Sequence, residues 1–135
     1  MFKQVRHAYR LINSLLRERK KSKTRSTHWP KVRNNHLKYF PACAACMSRK
    51  HLQVHHISPL HLYPELELTD KNLITLCMGS NECHFRLAHG ANWEAFNPFI
   101  VAHASILLHQ PMRRKELEAL AKRTRLFTPK KIVSR

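Results

Sequence analysis

Two adjacent histidines, His55 and His56, stand inside the short apolar run LQVHHI, residues 52–57, nine residues after the pair Cys43-x-x-Cys46. Two thiols separated by two residues have the usual spacing for ligands on one tetrahedral zinc ion. The only other cysteines, Cys77 and Cys83, bracket Met-Gly-Ser-Asn-Glu, a wider gap that still lets a loop return to the same ion. Zn–S bonds of ~2.3 Å would draw the four sulfurs together and fix the hairpin between the pairs. Four reduced, buried cysteines are the plain alternative. They explain neither the first spacing nor the presence of one pair on each side of a hairpin. Structural zinc on Cys43, Cys46, Cys77 and Cys83 is therefore expected. Such a site has no open position for water, so chemistry requires a second centre among the eleven histidines.

Most of those histidines need no special role. His7, His28, His36, His51, His61, His103 and His109 read as surface or helix-packing residues. His55, His56, His84 and His89 remain. Neighbouring side chains on a helix point ~100° apart, so Cys83 can face the zinc while His84 faces a separate cleft. Neighbours on a strand point to opposite faces, so His55 and His56 can do different jobs where the strand ends or twists. Taken alone, the pair is an ordinary half-exposed strand pair.

The elements that must position these residues follow from periodicity and breakers. Phe2, Val5, Tyr9, Ile12, Leu15 and Leu16 recur at helical steps and predict an amphipathic helix over about residues 2–20, followed by a basic linker to Arg25. Ser26 or Thr27 is expected to cap a second helix through about Tyr39, with Pro30 in its first turn and Pro41 as its stop. Residues 52–57 and Leu73–Cys77 read as two short strands. Between them lies a proline-bounded loop in which Glu65, Glu67 and Asp70 are expected to face solvent. Glu82 to His89 reads as a short helix with Gly90 just past its end. Trp93 and Phe96 are expected to be core beneath it, with base stacking as the alternative. Residues 98–110 and 113–125 read as further helices, which either complete the core or offer a dimer surface. The tail from Thr128 is basic.

Charge is distributed unevenly around this centre. The net charge is +17; residues 1–50 hold 14 Lys/Arg and one acid, and residues 111–135 hold nine Lys/Arg and two acids. Residues 51–110, by contrast, hold two Lys/Arg and five acids. Basic arms that flank a histidine-rich centre suit a phosphate backbone. Lys31, Arg33, Arg86, Arg113 and Arg114 are the candidate nucleic-acid contacts, with Arg86 equally readable as an ordinary exposed helix arginine. A hydrophobic content of 43% argues against wholesale disorder. No apolar run approaches the ~20 residues of a membrane span, and MFKQVRHAYR has no secretory apolar region. The chain reads as cytoplasmic, where four thiols favour metal over disulfides.

The order Cys-x-x-Cys, VHHI, Asn-Leu-x-x-Leu-Cys and Cys-His resembles the HNH endonucleases of the ββα-metal class. In particular it resembles small phage-type HNH proteins whose motif is embedded in a zinc-binding cysteine tetrad. The likeness spans about residues 26–97, including THWPKVRNNHL upstream and HGANWEAFN downstream. It implies an α+β fold in which a ββα-metal core with structural zinc is flanked by N- and C-terminal helices. The expected divisions are 1–25 (basic helix and linker), 26–97 (nuclease core), 98–127 (C-terminal helices) and 128–135 (basic tail).

The resemblance also assigns roles. His55 and His84 would be ligands of a catalytic divalent ion, His56 the general base, and Asn72 the brace of the loop between the strands. His89 lies five residues after His84, so on an ideal helix the two diverge by ~140°. A helix ending at Gly90 could fold His89 back as a third ligand, or His89 could serve as a phosphate or structural contact. The ion would be Mg²⁺, or a softer Mn²⁺, Ni²⁺ or Zn²⁺, since imidazoles suit softer ions better than magnesium. A neutral His56 would take a proton from water, and the products would carry 5′-phosphate and 3′-hydroxyl ends. The implied function is a DNA endonuclease or nickase. The alternatives are a non-catalytic zinc-stabilised DNA-binding module and an accessory subunit of a phage packaging complex, with a terminase as partner, in the host cytoplasm. A homodimer would allow double-strand breaks.

Overall fold

The computed structural model describes residues 25–127. The helix expected over residues 2–20, its linker and the tail from Thr128 lie outside the described residues. Helix α1 (Trp29–Tyr39) begins with Pro30 in its first turn, where the missing N–H is harmless. Ser26 does not cap the helix proper. Its hydroxyl accepts from the His28 N–H at 3.2 Å and its carbonyl accepts from the Trp29 N–H at 3.1 Å, a turn that feeds the chain into α1.

Strands β1 (Leu52–His56) and β2 (Leu73–Cys77) form an antiparallel hairpin, with Leu52 opposite Cys77 and His56 opposite Leu73. This register sets Cys77 beside the start of β1. The Cys43–Cys46 turn is tied to β2 by the Ala44 N–H, which donates to Thr75 O at 2.9 Å. All five residues of β2 are buried, and in β1 burial is reached only at His55 and His56. The long connection between the strands is shaped by two 3₁₀ turns, Pro64–Leu66 and Asp70–Asn72. Helix α1 is pinned to this hairpin twice: Thr75 Oγ1 donates to Phe40 O at 2.9 Å, and His36 Nδ1 meets Asp70 Oδ1 at 2.8 Å.

The helix expected from Glu82 to His89 is instead a single π-helical turn, His84–Ala88, closed by the His89 N–H on His84 O at 3.2 Å. A wider turn of this kind leaves carbonyls outside the ordinary i→i+4 ladder. Fully buried Asn97 collects two of them: its Nδ2 donates to Leu87 O at 3.0 Å and its backbone N–H to Ala88 O at 2.7 Å. Gly90 then turns the chain at φ +55°, and a Cβ there would lie 2.9 Å from Ala121 O. Glycine is needed both for the left-handed conformation and for the close approach.

Helices α2 (Ile100–His109) and α3 (Arg114–Thr124) pack over this turn. Leu87, Ile100, Leu107 and Leu117 are fully buried in one core with Cys43, Cys77 and Cys83. The C-terminal helices thus complete the core. A two-residue pairing that the sequence did not suggest, β3 (Ala95–Phe96) with β4 (Leu126–Phe127), fastens the segment after α3 to the chain just beyond the π turn. Among the described residues no helix is long and apolar enough to cross a membrane.

Candidate active site and metal centres

Cys43, Cys46, Cys77 and Cys83 converge, with their sulfurs all within 4.8 Å of one another. Cys46 Sγ and Cys77 Sγ are 3.7 Å apart, matching the separation of about 3.8 Å expected of thiolates ~2.3 Å from a tetrahedral zinc. The donor chemistry also calls for a cation. Cys43 is pulled down to about 5 chiefly by a hydrogen bond from Cys83. The Cys83 thiol is driven up by the same bond and by burial, and burial raises Cys77 as well. Four packed sulfurs cannot all ionise without a positive charge among them. Arg114 Nη2 donates to Cys83 Sγ at 3.4 Å, an outer contact that favours the thiolate.

A second cluster lies on the other side of the Cys83–His84 peptide bond. Gln53 and His55 share one face of β1, two residues apart, and both reach His84. His84 Nδ1–H donates to Gln53 Oε1 at 2.6 Å, and His89 Nδ1–H donates to Ala95 O at 2.7 Å. Each ring is thereby fixed in the tautomer whose bare Nε2 points inward. Those two Nε2 atoms are 3.2 Å apart, and His55 Nδ1 is 3.0 Å from His84 Nε2. The three nitrogens fall within 4.8 Å of one another. Metal–nitrogen bonds of ~2.0–2.1 Å at tetrahedral or octahedral angles place neighbouring nitrogens about 2.8–3.4 Å apart. Burial holds all three rings toward neutrality: it lowers His84 to about 4, His55 well below the ordinary imidazole value, and His89 to a lesser extent. His55 Nε2 is buried without a hydrogen-bond partner among the described residues.

The π turn explains why His89 joins. On an ordinary helix a residue five positions on points away. An i→i+5 turn takes more residues per revolution, so the fifth returns near the first. That resolves the ~140° divergence expected of His84 and His89 on an ideal α-helix.

His56, at the end of β1, lies under Trp29 of α1, with ring centroids 4.5 Å apart. Its Nε2–H donates to Glu67 O at 2.9 Å, so Nδ1 is the atom left with a lone pair. Among the described residues Nδ1 has no hydrogen-bond partner. Burial lowers the His56 pKa, the Glu67 carbonyl opposes that shift, and the positive charge of Arg25 adds to it. Asn72 is buried in the connecting loop. Its Oδ1 accepts from Ser58 N at 2.8 Å and its Nδ2 donates to Ser58 O at 3.1 Å and Leu66 O at 3.3 Å.

The sequence missed several participants. Glu67, expected to face solvent, is 6% exposed. Its carboxylate accepts from the Ser26 N–H at 3.0 and 3.2 Å while its carbonyl holds His56. Arg25 lies over the Trp29 ring, 4.7 Å from its centroid. Trp93 is not core: it is 56% exposed. No periodic pattern marks Glu67 or Gln53; only an acid and an amide at unremarkable positions could have hinted at them.

The candidate nucleic-acid contacts are scattered. Lys31 and Arg33 lie on α1, Lys31 exposed and Arg33 bonded to Asn34 Oδ1 at 3.3 Å. Arg86 is ion-paired with Glu82 at 2.9 Å. Arg113 pairs with Glu116 at 2.6 Å, and Arg114 is shared among Cys83, Asn81 O and Glu118 on the thiolate side.

Residues 43–88, about a third of the chain, match the family model of the HNH endonuclease. No curated protein and no solved structure matches the chain. The matched segment runs from the first cysteine of the tetrad through the π turn, taking in His55, His56, Asn72 and His84, and stops one residue short of His89. Residues 43–88 therefore match an HNH endonuclease domain within an α+β fold, with four clustered cysteines consistent with a zinc-binding tetrad.

Proposed function

We propose that this domain is a metal-dependent endonuclease that hydrolyses DNA phosphodiesters, with His56 as general base and His55, His84 and His89 as ligands of one divalent cation. The observation that carries the reading is the meeting of two bare imidazole nitrogens, on His84 and His89, 3.2 Å apart. Their protons are already committed to Gln53 and Ala95. Lone pairs held against each other in this way call for a positive charge between them. A divalent ion there would stabilise charge on the phosphate and on the leaving 3′ oxygen. The three imidazoles favour Mn²⁺, Ni²⁺ or Zn²⁺ over Mg²⁺ in affinity, though Mg²⁺ remains the test case at cellular abundance.

The chain's own residues supply the remainder. Glu67 O holds the Nε2 proton of His56, so Nδ1 can accept a proton from water as the water oxygen bonds to phosphorus and the P–O3′ bond breaks. General-base help of this kind is worth ~10²–10⁴-fold. Trp29 fixes the plane of the base from α1, and Asn72 fixes the loop that carries Glu67. One such site cuts one strand per encounter. The test is plasmid cleavage by the zinc-loaded chain with added Mg²⁺, Mn²⁺ or Ni²⁺. His56→Ala should lose at least a hundredfold, and undiminished cleavage removes His56 from the mechanism. His84→Ala should keep one zinc on the cysteines yet lose cleavage.

A further inference from the structure

We propose that Trp93 is a stacking platform for an unpaired nucleobase next to the phosphate being cut, and that it biases the enzyme toward single-stranded or locally unpaired DNA. The proposal rests on the nuclease reading for its location and on Trp93 itself for its chemistry. The chain has two tryptophans with opposite fates: Trp29 is 8% exposed and Trp93 is 56% exposed. Trp93 sits on the turn between His89 and β3, where Ala91 has φ +61° and Asn92 closes the backbone by accepting from Ala95 N at 3.0 Å. One flank of the indole rests on Phe85, with centroids 4.8 Å apart, and it meets the candidate ligands themselves, His89 at 4.8 Å and His84 edge-on at 5.5 Å. A phosphate bound at the three histidines thus lies within one nucleotide's reach of an aromatic surface that is largely in solvent.

Leaving an indole uncovered forfeits burial that a small polar residue would not miss. A nucleobase is the occupant that fits. It is flat and apolar on its faces, and it arrives tethered to the phosphate that the neighbouring histidines attract. Both faces of a base in an intact duplex are already stacked, so the indole gains a partner only where a base is unpaired or is extruded at an energetic cost. That cost is least in single strands, bulges and mismatches, and those are the substrates the platform selects.

The test uses the full-length zinc-loaded chain with His56→Ala to prevent cleavage. Tryptophan fluorescence is titrated with an oligothymidylate, a matched blunt duplex and the same duplex bearing one bulged thymidine. The expected result is quenching by the first and third that disappears in Trp93→Leu, whose apolar side chain still covers His84 and His89 but cannot stack. That substitution should weaken single-strand binding about tenfold and leave duplex binding unchanged, and Trp93→Phe should recover most of the loss. Cleavage rates of Trp93→Leu on bulged and perfect duplexes, in an otherwise wild-type chain, form the second arm. A bulge-to-duplex ratio equal to wild type, with His56-dependent cutting intact, overturns the platform and spares the nuclease. Selective quenching and affinity in His56→Ala, together with no cleavage of any of the three substrates by the wild-type chain with added Mg²⁺, Mn²⁺ or Ni²⁺, would overturn the nuclease and spare the platform.

Discussion

Replacing Asn72 with alanine separates what the loop brace does from what the metal centres do. The side chain makes three hydrogen bonds, to Ser58 N, Ser58 O and Leu66 O, and is 7% exposed. Each such bond is worth about 0.5–1.5 kcal/mol net, and a buried acceptor left bare costs about 1–3 kcal/mol. Leu66 O keeps the Thr69 N–H at 3.2 Å, so the deficit falls chiefly on the Ser58 N–H and carbonyl, which are half-buried and only partly rescued by water. The expected cost is about 2–4 kcal/mol, read as a lower urea midpoint at unchanged slope for the zinc-loaded protein. Leu66 immediately precedes Glu67, whose carbonyl orients His56. Cleavage should therefore fall about tenfold, short of the ~10²–10⁴-fold expected from removing the proposed base. Zinc content should not change, because the cysteines lie at the other end of the hairpin. Asn72→Asp should fare no better: a carboxylate still accepts from Ser58 N but sets a second oxygen against two carbonyls. A loss under about 1 kcal/mol, or full stability loss with wild-type cleavage, would refute this account of the loop.

Three further outcomes are expected. Gly90→Ala should destabilise by more than about 1 kcal/mol, the usual strain of a left-handed non-glycine residue, because the added Cβ also meets Ala121 O at 2.9 Å; thermal melts at saturating zinc measure it. Cys77→Ser should abolish high-affinity zinc binding, measured as metal per chain after dialysis, and lose the cooperative unfolding transition, since Cys43, Cys77 and Cys83 sit inside the core. Stability should fall as pH drops below about 6.5. Burial lowers His55, His56, His84, His89 and His103 in the folded state, so the unfolded chain binds more protons there and gains on acidification, down to about 4 for His84. Urea midpoints across that window, with zinc release followed separately by a chromogenic chelator, test the sign.

The legible parts of the site were those carried by spacing or by residue type. Cys43-x-x-Cys46 announces itself because two thiolates on one tetrahedral ion need a two-residue turn, and the apolar runs at residues 52–57 and 73–77 bound the hairpin to within a residue. The helix breakers Pro41 and Gly90 fell where elements end. What stayed hidden depends on partners far apart in the chain. Glu67 looked like a loop acid, and its burial follows only once Ser26 is brought back across the hairpin to meet it, 41 residues away in sequence. Trp93 looked like core because it is large and apolar, yet it packs on the rings of His84, His89 and Phe85 with much of the indole left uncovered. The basic residues were legible as charge but not as contacts: acids at helical spacing neutralise Arg86 and Arg113, and Cys83 claims Arg114.

The five-residue step from His84 to His89 poses the remaining physical question. Residues on one helical face normally sit three or four apart, and here the position four on from His84 is Ala88, which is buried against the core. Cys83 fixes where the turn begins, because its sulfur must stay with the tetrad, and Gly90 fixes where it ends, because only glycine fits against Ala121. Between those two anchors an α-helical turn would keep Cys83 and His84 in place but swing His89 away from His55. A π turn keeps all three constraints, at the cost of ladder bonds that Asn97 takes up by collecting Leu87 O and Ala88 O. Asn97 is in turn held by His103 of α2, whose Nδ1 accepts from Asn97 Nδ2 at 2.8 Å. The geometry of the three-histidine cluster is therefore set in part by a buried asparagine and a second-helix histidine that touch none of its nitrogens.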